Sequence, residues 1–143
     1  MIAILPARHR LARHRAVRPQ DLARESFIST ARVAPVLRTV IDDYAAKEGI
    51  TLKQNYDAET LSGGMSLVAS TGGFTLLPLY VRHALIPSVV ARPLRGEVPT
   101  IDLMIGYNKS NASPLLKRFL LRADDLVKRG SQGQAYSRPF EAR

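Results

Sequence analysis

The stretch from Gly63 to Pro78, GGMSLVASTGGFTLLP, constrains the fold more than any other part of the chain. Apolar residues up to Thr71 recur at helical spacing, and Gly72 and Gly73 then end the helix, because glycine accepts the left-handed conformation of a C-terminal cap. The run from Phe74 to Leu77 is short and apolar and is closed by proline, as expected of a buried strand. A helix that turns on glycine into a buried strand is half of a β-α-β unit, so this stretch predicts an α/β fold.

Two glycines and a serine within the predicted helix need an explanation. Gly63 and Gly64 each cost about 1 kcal/mol relative to alanine, which indicates close approach of another element or of a ligand, and helix–sheet packing is the simpler account. Ser66 follows Gly64 at the spacing of a hydrolase nucleophile elbow. Because Val68 stands where that motif has its second glycine, the sequence excludes the elbow.

The composition excludes several functional classes. The 143 residues include no cysteine, which rules out disulfides, zinc fingers and thiol catalysis, fits a reducing compartment and leads us to expect a cytoplasmic protein. No apolar run approaches the roughly 20 residues of a membrane span. Of the net charge of +9, residues 1–38 contribute +6, residues 39–112 contribute −1 and residues 113–143 contribute +4. The terminal arginines are expected to form a solvated surface, with phosphate binding as the sharper alternative.

Periodicity and turn residues predict alternating strands and helices along the chain. Strands are predicted at Ile2–Leu5, Phe27–Ile28, Ile50–Tyr56, Phe74–Pro78, Ser88–Leu94 and Thr100–Tyr107, and helices at Pro19–Ala23, Val33–Glu48, Gly63–Thr71, Leu79–Leu85 and Ser113–Arg129. A basic connector is expected from Ala7 to Arg18. Asp57 is the predicted N-cap of the Gly63–Thr71 helix. Asp102 lies in the last predicted strand, facing a cleft or solvent.

Several short motifs, taken in this order, resemble the effector-binding domain of LysR-type transcriptional regulators. The matching motifs are Leu5-Pro6 with His9 and Leu11-Ala12, Asp21-Leu22 before Phe27-Ile28, Leu67-Val68-Ala69 with Gly72-Gly73 and Leu76-Leu77-Pro78, Arg92-Pro93-Leu94, and Ser113-Pro114 with Phe119. The resemblance covers about residues 1–128. It implies an α/β fold of the periplasmic-binding-protein-like type 2, with a mixed sheet flanked by helices. Arg10 departs from the family, which has proline after the position of His9.

The resemblance also implies how the chain is organised. The second subdomain of the family corresponds to residues 7–98, the two crossover strands to residues 2–5 and 100–107, and a C-terminal helix to residues 113–129, followed by a disordered tail at 130–143. The winged helix-turn-helix of the family and most of its first subdomain have no counterpart in this sequence, so we expect no specific DNA binding by this chain alone. The last helix is expected to fold back on the sheet or to drive self-association.

Candidate ligand contacts follow from the same resemblance, which places effector binding at the end of the second strand and the start of the next helix. The residues there are Ser29, Thr30 and Arg32. Two hydroxyls, a guanidinium and free N–H groups at a helix N-terminus favour a small anion such as a carboxylate. Alternatively, Ser29 or Thr30 only caps the helix and Arg32 is a surface residue. Thr71 and Gly72 are weaker candidates, since a helix C-terminus repels anions.

These features predict a non-enzymatic, ligand-sensing module of a transcription regulator. No metal or cofactor is expected, because His9, His14 and His83 share no ligand spacing with nearby acids. Two alternatives from other classes stay open: a basic nucleic-acid-binding protein and a small α/β enzyme. The enzyme is disfavoured because no nucleophile is paired with a base, and STGGFT lacks the length and the lysine of a phosphate-binding loop.

Overall fold

The computed structural model describes residues 1–101 and 104–131, and the side chains of the last helix as far as residue 125. The chain divides into two units, Met1–Asp102 and Leu103–Arg143. In chain order the elements are β1 (Ile2–Pro6), a first 3₁₀ helix (Arg10–Arg13), α1 (Pro19–Leu22), β2 (Ser26–Ser29), α2 (Pro35–Lys47), β3 (Lys53–Asp57), α3 (Leu61–Thr71), β4 (Thr75–Leu77), a second 3₁₀ helix (Leu79–Ala84), β5 (Val89–Pro93) and α4 (Pro114–Ser131).

The strands form one mixed sheet built from two hydrogen-bonded sets. β1 lies between β4 and β5 and is antiparallel to both, whereas β2 and β3 pair in parallel. A parallel bridge between Phe27 and Phe74 joins the two sets. There the Ile28 N–H donates to the Phe74 carbonyl at 2.8 Å, and the Phe74 N–H donates to the Ser26 carbonyl at 2.9 Å. The strand order is therefore β3-β2-β4-β1-β5, and the predicted mixed sheet is confirmed.

Strand direction gives the sheet two distinct ends. β2, β3 and β4 point the same way, so they finish at one side of the sheet, the carboxyl end. These strands start at the opposite side, the amino end, which is also where the antiparallel β1 finishes. The segment β3-α3-β4 is the β-α-β unit that the glycine-terminated helix predicted.

The core forms around β1 because both faces of this strand are covered. Ile2, Ala3, Ile4 and Leu5 are all buried, which explains why the run does not alternate with polar residues. Each fully buried isoleucine or leucine contributes about 1.5–3 kcal/mol relative to exposure. The rings of Phe27 and Phe74 pack at the junction of the two strand sets, with centroids 5.4 Å apart.

Two helices cover the sheet: α2, which has one apolar face, and α3, which is capped at both ends. α2 buries Leu37, Ile41 and Tyr44 on one face, as the apolar stripe predicted. α3 ends at Gly72, whose φ of 78° lies in the left-handed region that favours glycine. The N-cap of α3 is Thr60, whose Oγ1 accepts a hydrogen bond from the Gly63 N–H at 2.9 Å.

Three sequence predictions within this unit were wrong in detail. Asp57 does not cap α3, because β3 continues through it and the chain turns into the helix only after Thr60. The strand predicted from Ile50 begins at Lys53. The expected connector is ordered: it contains the first 3₁₀ helix, and Val17 forms a bridge with Leu94.

The predicted strand Thr100–Tyr107 is absent from its described residues, 100–101 and 104–107, which are irregular. A strand requires a hydrogen-bonded neighbour, and no described residue pairs with this segment. Met104, Ile105 and Tyr107 are exposed instead of buried. Asp102 lies outside the described residues.

The second unit contains α4, which begins at Pro114 as predicted. Leu115, Phe119 and Leu121 on this helix are exposed. The helix continues through Gly130 to Ser131, two residues into the predicted tail, whose remaining residues 132–143 lie outside the described part of the chain.

Candidate ligand-binding site

Ser29 is the last residue of β2, and its hydroxyl is fully engaged as an acceptor. The side chain is buried, and its Oγ accepts the Ala31 N–H at 3.0 Å and Nη1 of Arg38 at 3.2 Å. A hydroxyl that accepts twice keeps only its own hydrogen for a further bond. Ser29 therefore fixes the turn that leaves the carboxyl end of β2, and any additional bond it makes is one in which it donates.

Thr30 closes the same turn through its backbone. Its carbonyl accepts the Val33 N–H at 3.2 Å and the Ala34 N–H at 2.9 Å. The side chain is buried, and its methyl group would lie 3.5 Å from a Cβ placed on Gly64. This is an ordinary van der Waals distance, so α3 packs against the turn at Gly64 without requiring glycine there, and the packing interpretation of that glycine stays a prediction.

Arg32 projects from the turn into solvent. Its Nη1 lies 3.4 Å from Oε1 of Glu59, and both side chains are mostly exposed. Such a pair contributes little to stability, because water and salt screen it. The guanidinium is therefore free to exchange Glu59 for another anion at small cost.

The start of α2 leaves backbone donors without helical acceptors. The N-cap is Ala34, which has no side-chain acceptor, so neither Ser29 nor Thr30 caps the helix. Pro35 carries no N–H, and the first bond into the helix runs from the Arg38 N–H to the Ala34 carbonyl at 3.1 Å. The N–H groups of Val36 and Leu37 precede that bond, at the positive end of the helix dipole.

A cavity of about 630 Å³ opens at the carboxyl end of the sheet. Segments that follow β2, β3 and β4 form its wall, together with Ile101. The lining residues are Val33, Ala34, Pro35, Val36, Leu37, Glu59, Thr60, Leu61, Pro78, Tyr80 and Ile101. In open α/β sheets, ligands bind outside the carboxyl ends of the strands, which is where this cavity lies.

The three predicted residues lie close in sequence to the residues that line the cavity, but none of the three lines it. Ser29 and Thr30 lie one turn before the lining segment Val33–Leu37, and Arg32 pairs with Glu59 of the wall. The assignment of these three residues to an effector stays a prediction. Sequence reasoning missed Val36, Leu37 and Tyr80, although the shared carboxyl end of parallel strands is a signal that could have indicated them.

Arg38 is a further residue that sequence reasoning missed, because on α2 it resembled an ordinary exposed charge. Its Nε donates to both carboxylate oxygens of Asp42, at 2.8 and 2.7 Å, and its Nη1 donates to Ser29 and to Oε1 of Gln54. The guanidinium also lies 5.9 Å from the centroid of the Phe27 ring. Arg38 thereby joins α2 to β2 and β3 beside the turn at Ser29.

At its other end α2 carries Tyr44, whose hydroxyl is buried and has no hydrogen-bond partner within the described residues. Burial, with a smaller contribution from the negative charge of Glu48, raises the pKa of Tyr44 to about 12. The phenol is therefore neutral at physiological pH.

Residues 1–101 and 104–131 contain no cluster of three or more histidine, aspartate or glutamate side chains that could hold a metal ion. His9 has a local structural role: its Nδ1 accepts the Leu11 N–H at 3.2 Å and its Nε2 lies 3.4 Å from Glu25. No helix in the described part combines the length and the apolarity that a bilayer crossing requires.

Comparison with known proteins identifies the family. The model of the LysR substrate binding domain matches residues 1–126, and the chain belongs to that family. The Hca operon transcriptional activator HcaR of Escherichia coli (strain K12) is 29% identical over 121 residues, which cover 84% of this chain and 41% of HcaR. The chain thus spans less than half the length of this relative.

Solved structures agree on the fold. The effector-binding domain of BenM with its effector benzoate superposes with a TM-score of 0.65 at 16% identity, covering 99% of this chain and 64% of that one. The effector-binding domain of QuiR in complex with shikimate gives a TM-score of 0.64 at 20% identity, covering 87% and 61%. The periplasmic-binding-protein-like fold expected from the sequence is confirmed.

Proposed function

We propose that this chain is the ligand-sensing part of a LysR-type transcription regulator and that it binds a small organic carboxylate at the carboxyl end of the sheet. The observation that carries the proposal is the open start of α2: Ala34 provides no side-chain cap, and Val36 and Leu37, whose N–H groups have no helical acceptor, are among the residues that line a mostly apolar cavity. Backbone N–H groups at a helix N-terminus bind carboxylates well, because hydrogen bonds and the helix dipole act together.

The apolar lining supports a ligand with a ring. Val33, Val36, Leu61, Tyr80 and Ile101 offer hydrophobic surface beside the donors. The two named ligands of the structural relatives, benzoate and shikimate, are both ring carboxylates. We therefore propose a carboxylate on the α2 donors and a ring against the apolar wall.

Ser29, Thr30 and Arg32 serve this site in different ways within the proposal. Ser29 and Thr30, both buried, hold the turn that aims the α2 donors. Arg32 adds a positive charge that can leave Glu59 for the incoming anion. A non-enzymatic role and a cytoplasmic location belong to the same proposal, and the transcriptional regulators of the family support both.

Calorimetric titration with benzoate and shikimate tests this function. A Val36→Trp variant fills the cavity, and we expect it to abolish binding. A Ser29→Ala/Thr30→Ala variant is expected to weaken binding about tenfold, because the turn that aims the α2 donors loses the hydrogen bonds that hold it. The matched control is Ser66→Ala/Ser70→Ala, which changes two exposed hydroxyls on α3 that bond to carbonyls of their own helix. Equal affinity in native protein and both test variants would falsify the site.

We also propose that α4 mediates self-association, because Leu115, Phe119 and Leu121 place large apolar side chains in water. Sedimentation velocity across a concentration series measures this. A Leu115→Glu/Phe119→Glu variant should shift the protein towards monomer, whereas Asp124→Lys/Asp125→Lys on the same helix should not. A native protein that is monomeric at all concentrations contradicts the proposal.

Specific operator recognition is not part of the proposed function of this chain. A mobility-shift assay at about 150 mM salt, with promoter and scrambled fragments, should give less than tenfold discrimination, which corresponds to about 1.4 kcal/mol.

A further inference from the structure

The amino end of the sheet carries a concentration of unpaired positive charge. Residues 7–25 include six arginines against two acids. Both acids are already occupied, since Glu25 pairs with Arg10 and Asp21 pairs with Arg18. The remaining four arginines, Arg8, Arg13, Arg15 and Arg24, are exposed, and no carboxylate of the described residues lies within ion-pair distance of them. We call these four side chains the basic surface.

The backbone that carries the basic surface is held in place rather than free. Leu11, Ala12 and Val17 are buried between the arginines. Nε of Arg92 donates to the Ala12 carbonyl at 2.8 Å, and the Val17 N–H donates to the Pro93 carbonyl at 2.9 Å. Charges on an ordered backbone lose less conformational entropy on binding than charges on a flexible segment.

Topology places the basic surface away from the proposed ligand cavity. Arg8, Arg13 and Arg15 follow the end of the antiparallel β1, and Arg24 precedes the start of β2. The contacts of His9 and Arg10 with Glu25 bring these two segments together. The basic surface therefore lies at the amino end of the sheet, and the cavity lies at the carboxyl end.

We propose that the basic surface binds the phosphate backbone of duplex DNA without reading its sequence. Guanidinium groups bind phosphates through paired hydrogen bonds. Residues 7–25 contain no phenylalanine, tyrosine or tryptophan, and Leu11, Val17 and Leu22 are buried. The surface therefore lacks the stacking groups used for single strands and the apolar anchors used for membranes. The choice of duplex DNA over other polyanions rests on the proposed role in transcription.

Fluorescence anisotropy with a labelled duplex of arbitrary sequence, at several salt concentrations, tests the inference. Four phosphate contacts predict that log K falls with log salt at a slope of about −3.6. The variant Arg8→Gln/Arg13→Gln/Arg15→Gln/Arg24→Gln should lose most of that slope and bind at least about tenfold more weakly at about 50 mM salt. Replacing the same four residues by lysine keeps the charge and should keep the slope.

A charge-matched control removes four other exposed cations from the second unit, as Lys109→Gln/Lys117→Gln/Arg118→Gln/Arg122→Gln. It should bind like the native chain. A native slope in the arginine-to-glutamine variant, or loss of binding only in the control, overturns the proposal. So does equal competition by polyglutamate and by unlabelled duplex, which would assign the surface to acidic protein segments. Benzoate titration of the same arginine variant is expected to be unchanged, so failure of either proposal can be recognised separately.

Discussion

The two ends of the sheet differ in how their backbone groups and charges are satisfied. At the carboxyl end, α2 starts without a side-chain cap, and its first residues line a mostly apolar cavity. At the amino end, the side chain of His9 caps the first 3₁₀ helix, and the Ser26 carbonyl lies close to Gly73. Most of the charged residues there are arginines. We therefore propose that one end of the sheet binds a small anion and the other an extended polyanion.

The largest expected effect comes from breaking the packing of the amino end at Gly73. A Cβ on this residue would lie 2.5 Å from the Ser26 carbonyl oxygen and 3.1 Å from Cδ1 of Ile28, where β2 and β4 meet. We expect Gly73→Ala to destabilise the protein by about 3 kcal/mol in urea unfolding, because a backbone atom cannot yield as a side chain can. Gly49→Ala is the control: its φ is 64° but nothing lies within 4 Å, so only backbone strain of about 1–2 kcal/mol is added. Equal losses in both variants would contradict the close approach.

The second expected effect concerns the hydrogen bond between Ser29 and Arg38, beside the carboxyl end of the sheet. Arg38→Met keeps much of the aliphatic stem but removes the hydrogen bonds to Ser29, Asp42 and Gln54. We expect a loss of about 1–2 kcal/mol of stability, together with weaker benzoate binding, since the turn before α2 loosens. Lys53→Met, which removes an exposed cation from β3, should change neither quantity. Unchanged benzoate affinity in Arg38→Met would show that Arg38 does not contribute to ligand binding.

The cap of α3 gives a smaller effect at the carboxyl end. Thr60→Ala removes the acceptor of the Gly63 N–H and should cost about 1 kcal/mol in thermal or urea unfolding. Asp57→Ala, at the position that the sequence alone suggested as the cap, should change stability by less than about 0.5 kcal/mol. A larger loss in Asp57→Ala than in Thr60→Ala would reverse the assignment.

The smallest effect at neutral pH is expected for Tyr44, on the half of α2 that points towards the amino end. Tyr44→Phe removes a buried hydroxyl that has no partner in the described part, so stability at pH 7 should be unchanged or slightly raised. The pKa of Tyr44 is raised from 10 to about 12 in the folded protein, so its contribution is fully present below pH 10 and is lost as the pH rises towards 12. Native protein should therefore lose stability over that interval, and Tyr44→Phe should lose less. Identical alkaline unfolding curves would contradict this.

Local signals in the sequence predicted most of the fold. The glycine-terminated helix, the apolar run at Ile2–Leu5 and the proline at the start of α2 depend on near neighbours, and each has its counterpart in the structure. The prediction of a strand at 100–107 failed because strand pairing is not local. An apolar alternating segment forms a strand only where another strand accepts its hydrogen bonds. The prediction of the α3 cap residue failed for a related reason, because the end of β3 had to be known before Thr60 could be preferred over Asp57.

The candidate site was less predictable than the fold. Its polar turn at Ser29 and Thr30 was visible in the sequence, but the cavity draws its wall from segments after three different strands. Bringing Val36, Leu61 and Tyr80 together requires the strand order and direction, which the sequence does not state. The role of Arg38 could not be predicted for the same reason. Three of the residues it contacts, Phe27, Ser29 and Gln54, lie on other elements.

The central position of β1 has a consequence for synthesis. β1 precedes both of its partner strands in the chain, and its residue Ile4 pairs with Thr75 and with Ala91. At translation rates of about 5–20 residues per second, the apolar strand waits several seconds for its neighbours. We expect it to be the segment from which misassembly on the ribosome starts. Limited proteolysis of stalled nascent chains of increasing length would measure the delay, with protection of β1 appearing only after Pro93 has left the exit tunnel; earlier protection would mean that another part of the chain shelters it.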